Sequence, residues 1–174
     1  VDGDKSLSIR WALLASQAIG NSKAFNLLKS EDTLNALKCL KKLGIKIKLS
    51  KKFCQLDGRG MNGFLFTKHM VLNAGSSGTL GRLLLPLLIK SPYKIKIVGD
   101  KSLSKRDLSR VIKPLKNMGV NFYPHNKKNL TIFIKGSDYI RPIKYIKNRG
   151  SAQCKSCVML AALNIHGEHL INAT

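Results

Sequence analysis

The chain repeats itself. Two Gly-terminated signals, Leu43-Gly44-Ile45 and Met118-Gly119-Val120, close two amphipathic runs, Leu34 to Leu43 and Leu108 to Met118, and each leads into strand-like sequence. Aligned on those ends, the order strand, buried helix, strand, amphipathic helix, strand recurs at a spacing of 75 residues. A third unit opens near Ser151 and is cut off at Thr174, so the expectation is a fragment of about two and a half units. A repeated module cannot bury its apolar face alone and must stack on its neighbours, which constrains the fold more than any local propensity.

The two hydrophobic periods say which elements go inside. Trp11-Ala12-Leu13-Leu14-Ala15, Leu83-Leu84-Leu85-Pro86-Leu87-Leu88 and the run Cys157 to Leu163 are apolar on nearly every side, as interior helices are. By contrast, Ile45-Lys46-Ile47-Lys48-Leu49, Tyr93-Lys94-Ile95-Lys96-Ile97 and Leu130 to Lys135 alternate or nearly alternate, placing one face on the core and lysines in water. Buried helices wrapped by half-exposed sheets make an inside-out α+β arrangement. Pro86 is expected to kink the second interior helix.

Each interior helix is opened by a small, hydroxyl-bearing stretch with a cation close by. The three copies are Gly3-Asp4-Lys5-Ser6-Leu7-Ser8-Ile9-Arg10, Gly75-Ser76-Ser77-Gly78-Thr79 with Arg82 beyond it, and Ser151-Ala152-Gln153-Cys154-Lys155-Ser156. Helix N-termini present unpaired N–H groups and a partial positive charge, so Ser, Thr, Lys and Arg added there make anion sites. Three of them imply a ligand with more than one anionic group. The hexapeptide Gly-Asp-Lys-Ser-Leu-Ser occurs both at 3–8 and at 99–104, at different places in the repeat, so the two copies need not do the same job.

Charge narrows the ligand. The 174 residues carry 31 Lys and Arg against nine Asp and Glu, a formal net charge of +22, which draws in polyanions of every kind. The lysines are dispersed, and no basic tail or aromatic-studded strand of the sort expected in a single-strand binder is visible, so small phosphorylated metabolites are favoured over nucleic acid. No apolar stretch is long enough to span a bilayer and no signal-peptide pattern is present, which points to the cytoplasm. Cys39, Cys54, Cys154 and Cys157 show no disulfide spacing.

Five ordered motifs carry a resemblance: Gly-Asp-Lys-Ser-x-Ser-x-Arg at 3–10, Ser-Glu-Asp-Thr at 30–33, Gly-x-Ser-Gly-Thr-x-x-Arg at 75–82, Gly-Asp-x-Ser-Leu-x-Lys-Arg at 99–106 and Ser-Ala-Gln-x-Lys-Ser at 151–156. Through them the chain resembles the 5-enolpyruvylshikimate-3-phosphate synthases (3-phosphoshikimate 1-carboxyvinyltransferases) along essentially its whole length. The resemblance implies transfer of the enolpyruvyl group of phosphoenolpyruvate to the 5-hydroxyl of shikimate 3-phosphate, releasing phosphate through a tetrahedral adduct. It also implies an alpha-beta prism of repeated βαβαββ units, with residues 1–174 one incomplete lobe of a two-lobe enzyme, monomeric when intact, with no metal, cofactor, membrane or nucleic-acid partner. The alternatives are the related UDP-N-acetylglucosamine enolpyruvyl transferase, which lacks the Gly-Asp-Lys-Ser and Ser-Ala-Gln motifs, and a basic RNA-binding domain of similar repeat architecture.

By position, the resemblance makes Lys5, Ser6, Arg10, Ser151, Ala152 and Gln153 shikimate-3-phosphate ligands. Lys5, Gly78, Arg106 and Gln153 would bind phosphoenolpyruvate, and Lys5 is in addition a proton-transfer candidate, the main Asp and Glu lying in the missing lobe. The residue types suit that chemistry, because two phosphates and a carboxylate in one cleft repel one another unless cations and oriented N–H groups offset them. Against these roles stand plain N-capping for Ser6 and Ser151 and a structural or snorkelling role for Arg10 and Arg82. The five motifs in register favour function for Lys5, Ser6, Arg10, Arg106 and Gln153; Arg82 is read as structural. Asp107, beside Arg106, is expected to compete with an anionic substrate for that cation. Asp2 and Ser76 also depart from the family pattern. Cys154-x-x-Cys157 and His166-x-x-His169 have ligand-like spacings but no further partner at readable distance.

Overall fold

A computed structural model describes residues 3–125, 127–147 and 151–173. The first unit runs through α1 (Lys5–Gln17), β1 (Ile19–Phe25), α2 (Glu31–Lys42), β2 (Lys46–Leu49) and β3 (Phe53–Arg59). The second comprises β4 (Val71–Asn73), α3 (Gly78–Leu83) continued by a 3-10 turn (Leu85–Leu88), β5 (Ile95–Val98), the short α4 (Lys101–Ser104), α5 (Ser109–Asn117), β6 (Asn121–Tyr123) and β7 (Ile132–Lys135). The third begins with β8 (Lys144–Lys147), α6 (Ala152–Ala162) and β9 (Leu170–Ala173).

The sheets bear out the repeat. In the first, β3 lies between β1 and β2, antiparallel to both; in the second, β7 lies in the same way between β5 and β6. The second sheet adds β4 parallel to β5, and β8 and β9 form the corresponding parallel pair of the third unit. The two Gly-terminated helix ends are the same motif. Gly44 and Gly119 adopt φ of +88° and +104°, a region that penalises a Cβ, and the next amide reaches back to a carbonyl of the last turn, Ile45 to Leu40 at 3.1 Å and Val120 to Leu115 at 3.0 Å. All four of those side chains are buried, so each motif also clasps its helix to the strand that follows.

The helices are inside, as the periodicity requires. Ile9, Leu13, Leu80, Leu83, Leu84 and Leu88 are fully sealed, and the core-facing residues of β5 and β7 (Ile95, Ile97, Ile132, Ile134) close over them. Three expectations need correction. The interior helices start earlier than read, with Lys5 to Ser8 and Ala152 to Ser156 lying within α1 and α6, because Asp4 and Ser151 are the capping residues. Pro86 does more than kink: lacking an N–H, it ends α3 in favour of the 3-10 turn. Finally, α1 and α6 are not wholly enclosed. Leu14, Met159 and Leu163 remain about half exposed along a shared groove of 220 Å³, reached by Arg10 at one end.

The repeated hexapeptide behaves identically in local structure and oppositely in packing. Asp4 and Asp100 each cap a helix, accepting from Leu7 N at 2.7 Å and Leu103 N at 2.6 Å. Yet Leu7 is 67% exposed while Leu103 is buried, its side chain lying against Gly81 and Gly99.

Candidate functional site

Four helix beginnings and one helix end meet at one cleft of about 410 Å³, lined by Lys5, Ser30, Glu31, Asp32, Ser76, Gly78, Thr79, Arg106 and Gln153. Each comes from a capped start or its flank. Lys5 is the first residue of α1, after the Asp4 cap. Ser30 caps α2, its hydroxyl accepting from Thr33 N at 3.3 Å, and puts Glu31 and Asp32 in the first turn, where negative charge meets the positive end of the helix. Ser77 caps α3, accepting from Leu80 N at 3.2 Å, after a turn in which Gly75 takes φ +58°. Arg106 follows α4, and Gln153 sits in the first turn of α6 under the Ser151 cap.

Cross-contacts fix the geometry. The Lys5 ammonium lies 3.1 Å from an Asp32 carboxylate oxygen, and the other oxygen of Asp32 accepts from the Ser76 hydroxyl at 3.2 Å. This tie spans α1, α2 and the turn before α3, and it is the one ion pair within 4.0 Å among the described residues. Gln153 donates its side-chain N–H to the Thr79 hydroxyl at 3.2 Å, joining α6 to α3. At Gly78 the backbone is bare where two guanidinium groups converge: an added Cβ would stand 2.7 Å from an Arg106 nitrogen and 2.8 Å from an Arg82 nitrogen.

Of the residues selected from sequence, Lys5, Gly78, Arg106 and Gln153 line this cleft. Ser6, Arg10, Ser151 and Ala152 do not. Arg10 instead hydrogen-bonds the Ser6 hydroxyl one turn back and flanks the apolar groove. Ser151 caps α6, accepting from Cys154 N at 3.4 Å. Asp32, Ser76 and Thr79 lie within the motifs at 30–33 and 75–82 but are not among the ligands chosen from sequence, because their role in the cleft depends on Lys5 and Gln153, far off in the chain. Arg82 donates to the Gly78 carbonyl at 3.0 Å, a structural bond, while its guanidinium also reaches the cleft-side approach to Gly78.

Asp107 does not act as expected. Its carboxylate turns back to Ser109, accepting from the amide at 2.7 Å and the hydroxyl at 2.8 Å, and these two bonds hold its pKa below the ordinary carboxylate value. A carboxylate occupied by its own turn leaves Arg106 to the cleft. Cys154 and Cys157 are buried free thiols of α6, and burial, with Cys154 adjacent, pushes the Cys157 thiol far up. Among the described residues no three His, Cys, Asp or Glu side chains gather as a metal site would need, and no helix is long and apolar enough to cross a membrane.

Converging helix starts, two lining cations, Lys5 and Arg106, and a bare glycine give this cleft the chemistry to hold compact anions. The family model of EPSP synthase (3-phosphoshikimate 1-carboxyvinyltransferase) matches residues 1–173. The chain belongs to the EPSP synthase family. It is 38% identical over 168 residues to a 3-phosphoshikimate 1-carboxyvinyltransferase of Streptococcus pyogenes serotype M4, covering 96% of this chain and 39% of that protein. With the enzyme of the same name from Syntrophomonas wolfei the identity is 39% over 172 residues, 99% of this chain and 40% of the relative. The EPSP synthase structure from Acinetobacter baumannii superposes with a TM-score of 0.89 at 34% identity, over 97% of this chain and 38% of that one. The chain therefore spans about two fifths of the length of the EPSP synthases it matches, and the α+β enolpyruvate-transferase fold is shared.

Proposed function

We propose that this chain supplies one wall of an EPSP synthase active site, and that residues 1–174 form an incomplete lobe of a two-lobe, monomeric, cytoplasmic enzyme. The observation that carries this is the cleft where Lys5, Gly78, Arg106 and Gln153, picked out by four separate motifs, come together although they are up to 148 positions apart. In the reaction the 5-hydroxyl of shikimate 3-phosphate adds to C2 of phosphoenolpyruvate while C3 gains a proton. The tetrahedral adduct then loses phosphate from C2 and the proton from C3.

The residues of this chain bind and orient. The Lys5 ammonium and the Arg106 fork neutralise phosphate and carboxylate oxygens, the Arg as a planar bidentate donor. Gly78 lets an anion approach the start of α3 with no Cβ between, and Gln153, anchored on Thr79, offers its free carbonyl oxygen to a substrate hydroxyl. Ser6, Arg10, Ser151 and Ala152, outside the cleft lining, are assigned to the shikimate phosphate on their motifs alone, and for Arg10 this requires its guanidinium to leave Ser6. Lys5 is also placed to move a proton, with Asp32 as its partner. The reaction needs water excluded and further acid–base groups, which belong to the opposing lobe.

The test is phosphate release from phosphoenolpyruvate that depends on shikimate 3-phosphate. The 174-residue chain alone is expected to be inert, and activity is expected on adding the complementary lobe of a related EPSP synthase. Turnover by the chain alone would show that the catalytic groups have been misplaced.

A further inference from the structure

The outer face of the second sheet carries a feature that the cleft does not use. Alternation along β4 to β7 turns Val71, Lys96, Phe133 and Tyr123 outward, and the strand register aligns them in one row: Val71 beside Lys96, Lys96 beside Phe133, Phe133 beside Tyr123. The row spans roughly 15 Å at ordinary strand spacing. Lys68, His69, Tyr93 and Lys94 border it, and with Lys96 and Phe133 they shape an open concavity of about 440 Å³. The Lys94 ammonium stands 4.3 Å from the centre of the Tyr123 ring, and the Tyr123 and His125 ring centres lie 4.9 Å apart with their planes inclined at 60°. No single strand is studded with rings, which is why the sequence shows no such surface; three segments each contribute one and the ladder assembles them.

The first sheet is an internal control. Its equivalent row is Lys23, Gln55 and Lys48, so the repeat places Gln55 and Lys48 where the second sheet has Phe133 and Tyr123. There Gln55 donates to Asn21 at 2.8 Å, and Asp57 adds a carboxylate to the same face. The row itself is polar in the sister unit, whose outward rings, Phe25 and Phe53, pair two residues along the same face under the Lys23 ammonium, at 5.1 and 4.2 Å from it; rings at the Phe133 and Tyr123 positions are therefore not required by the fold. None of the lysines around the second row is held in an ion pair within 4.0 Å among the described residues.

We propose that this face is a docking surface for single-stranded RNA, with bases stacked on Phe133, Tyr123 and Tyr93 and phosphates met by Lys68, Lys94 and Lys96. Stacking on exposed rings combined with backbone neutralisation is how single strands are held without sequence preference. A duplex would keep its bases from the rings. An acidic bilayer would demand protruding apolar groups, and here Phe133 and Tyr93 are half-buried in the wall of a concavity, with Tyr123 half-buried beside it. The Asn121 amide and the Tyr123 hydroxyl, on the same face, give a ribose 2′-hydroxyl hydrogen-bonding partners.

The experiment is fluorescence anisotropy of a labelled 12-nucleotide oligouridylate titrated with the 174-residue chain at 50 and 200 mM KCl. The triple variant Lys68→Gln/Lys94→Gln/Lys96→Gln is expected to weaken binding at least tenfold, and to flatten the log-affinity against log-salt slope by about 2, since a single strand loses roughly 0.7 per phosphate contact. The matched triple Lys23→Gln/Lys46→Gln/Lys48→Gln removes the same charge from the first sheet and is expected to change affinity less than twofold. Phe133→Leu, which keeps apolar bulk, is expected to weaken binding about fivefold or more with salt slope and melting temperature unchanged. Equal loss in both triples would mean that only the overall +22 field attracts RNA, and would overturn the proposal. So would a Phe133→Leu variant that binds normally, a deoxythymidylate strand that binds more tightly than the RNA, or capture by phosphatidylserine vesicles with no RNA binding.

Discussion

Replacing Gly78 by Ala separates the fold from the site in one methyl group. The added Cβ would meet terminal guanidinium nitrogens of Arg106 and Arg82 at 2.7 and 2.8 Å, both of which must retreat to the 3.4 Å of an ordinary contact. These are the far ends of flexible side chains, so the backbone need not move. Ala also gains about 0.5–1 kcal/mol over Gly within a helix, and Gly78 is the first residue of α3. The melting temperature should therefore change little. Binding should not be spared: a displacement of this size pulls a charge-assisted hydrogen bond worth roughly 1.5–3 kcal/mol out of reach, which corresponds to about a 10- to 150-fold weaker hold on phosphoenolpyruvate. Gly58→Ala is the counterpart. Its Cβ would lie 2.3 Å from the Ala15 carbonyl oxygen and 2.4 Å from that of Ala18, main-chain atoms of α1 and its end that cannot swing aside, so a loss of at least about 1–3 kcal/mol is expected. Urea melts and phosphoenolpyruvate titrations by NMR line broadening, run on both variants, measure the two effects. A destabilised Gly78→Ala chain, or one that binds phosphoenolpyruvate as the parent does, would refute the reasoning.

Lys5→Met and Arg10→Ala are each expected to weaken shikimate 3-phosphate binding about tenfold or more, from loss of one charge-assisted contact; unchanged calorimetric affinity in both would reject their assignment. Burial pushes the Cys39 thiol from 9.0 up to about 11. A folded-state pKa raised above the unfolded one gives stability that is whole below pH 9 and drains away as pH rises through 11, roughly 2–3 kcal/mol in all, so urea midpoints should fall over that window less steeply in Cys39→Ala than in the parent.

Sequence carries the parts of this structure that are settled within a few residues. The clasps at Gly44 and Gly119 are local hydrogen-bond chemistry, which is why a spacing of 75 residues between them maps one sheet onto the next. The interior position of Leu13 and Leu84 follows from helices with no polar side. Lys5, Gly78, Arg106 and Gln153 are legible because each lies in a short motif with its own chemistry. What stays hidden depends on partners far apart in the chain. Asp32 is an ordinary first-turn carboxylate until α1 brings Lys5 to it. Asp107 reads as a competitor for Arg106 because they are adjacent in sequence, but a bond to Ser109 two residues on decides its direction. Leu7 and Leu103 show the same limit from the other side, since one set of six letters cannot encode two burials.

Among the described residues β8 and β9 pair as a sheet of two parallel strands. What fastens that part of the chain is α6, which packs on α3, on α5 and on the 3-10 turn of the preceding unit. Gln153 rides on α6, so its place in the cleft is set by how that helix docks on the second unit. Slippage of α6 would break the Gln153–Thr79 bridge before anything else in the site gave way, making the opening of the cleft a matter of helix docking rather than of loop motion.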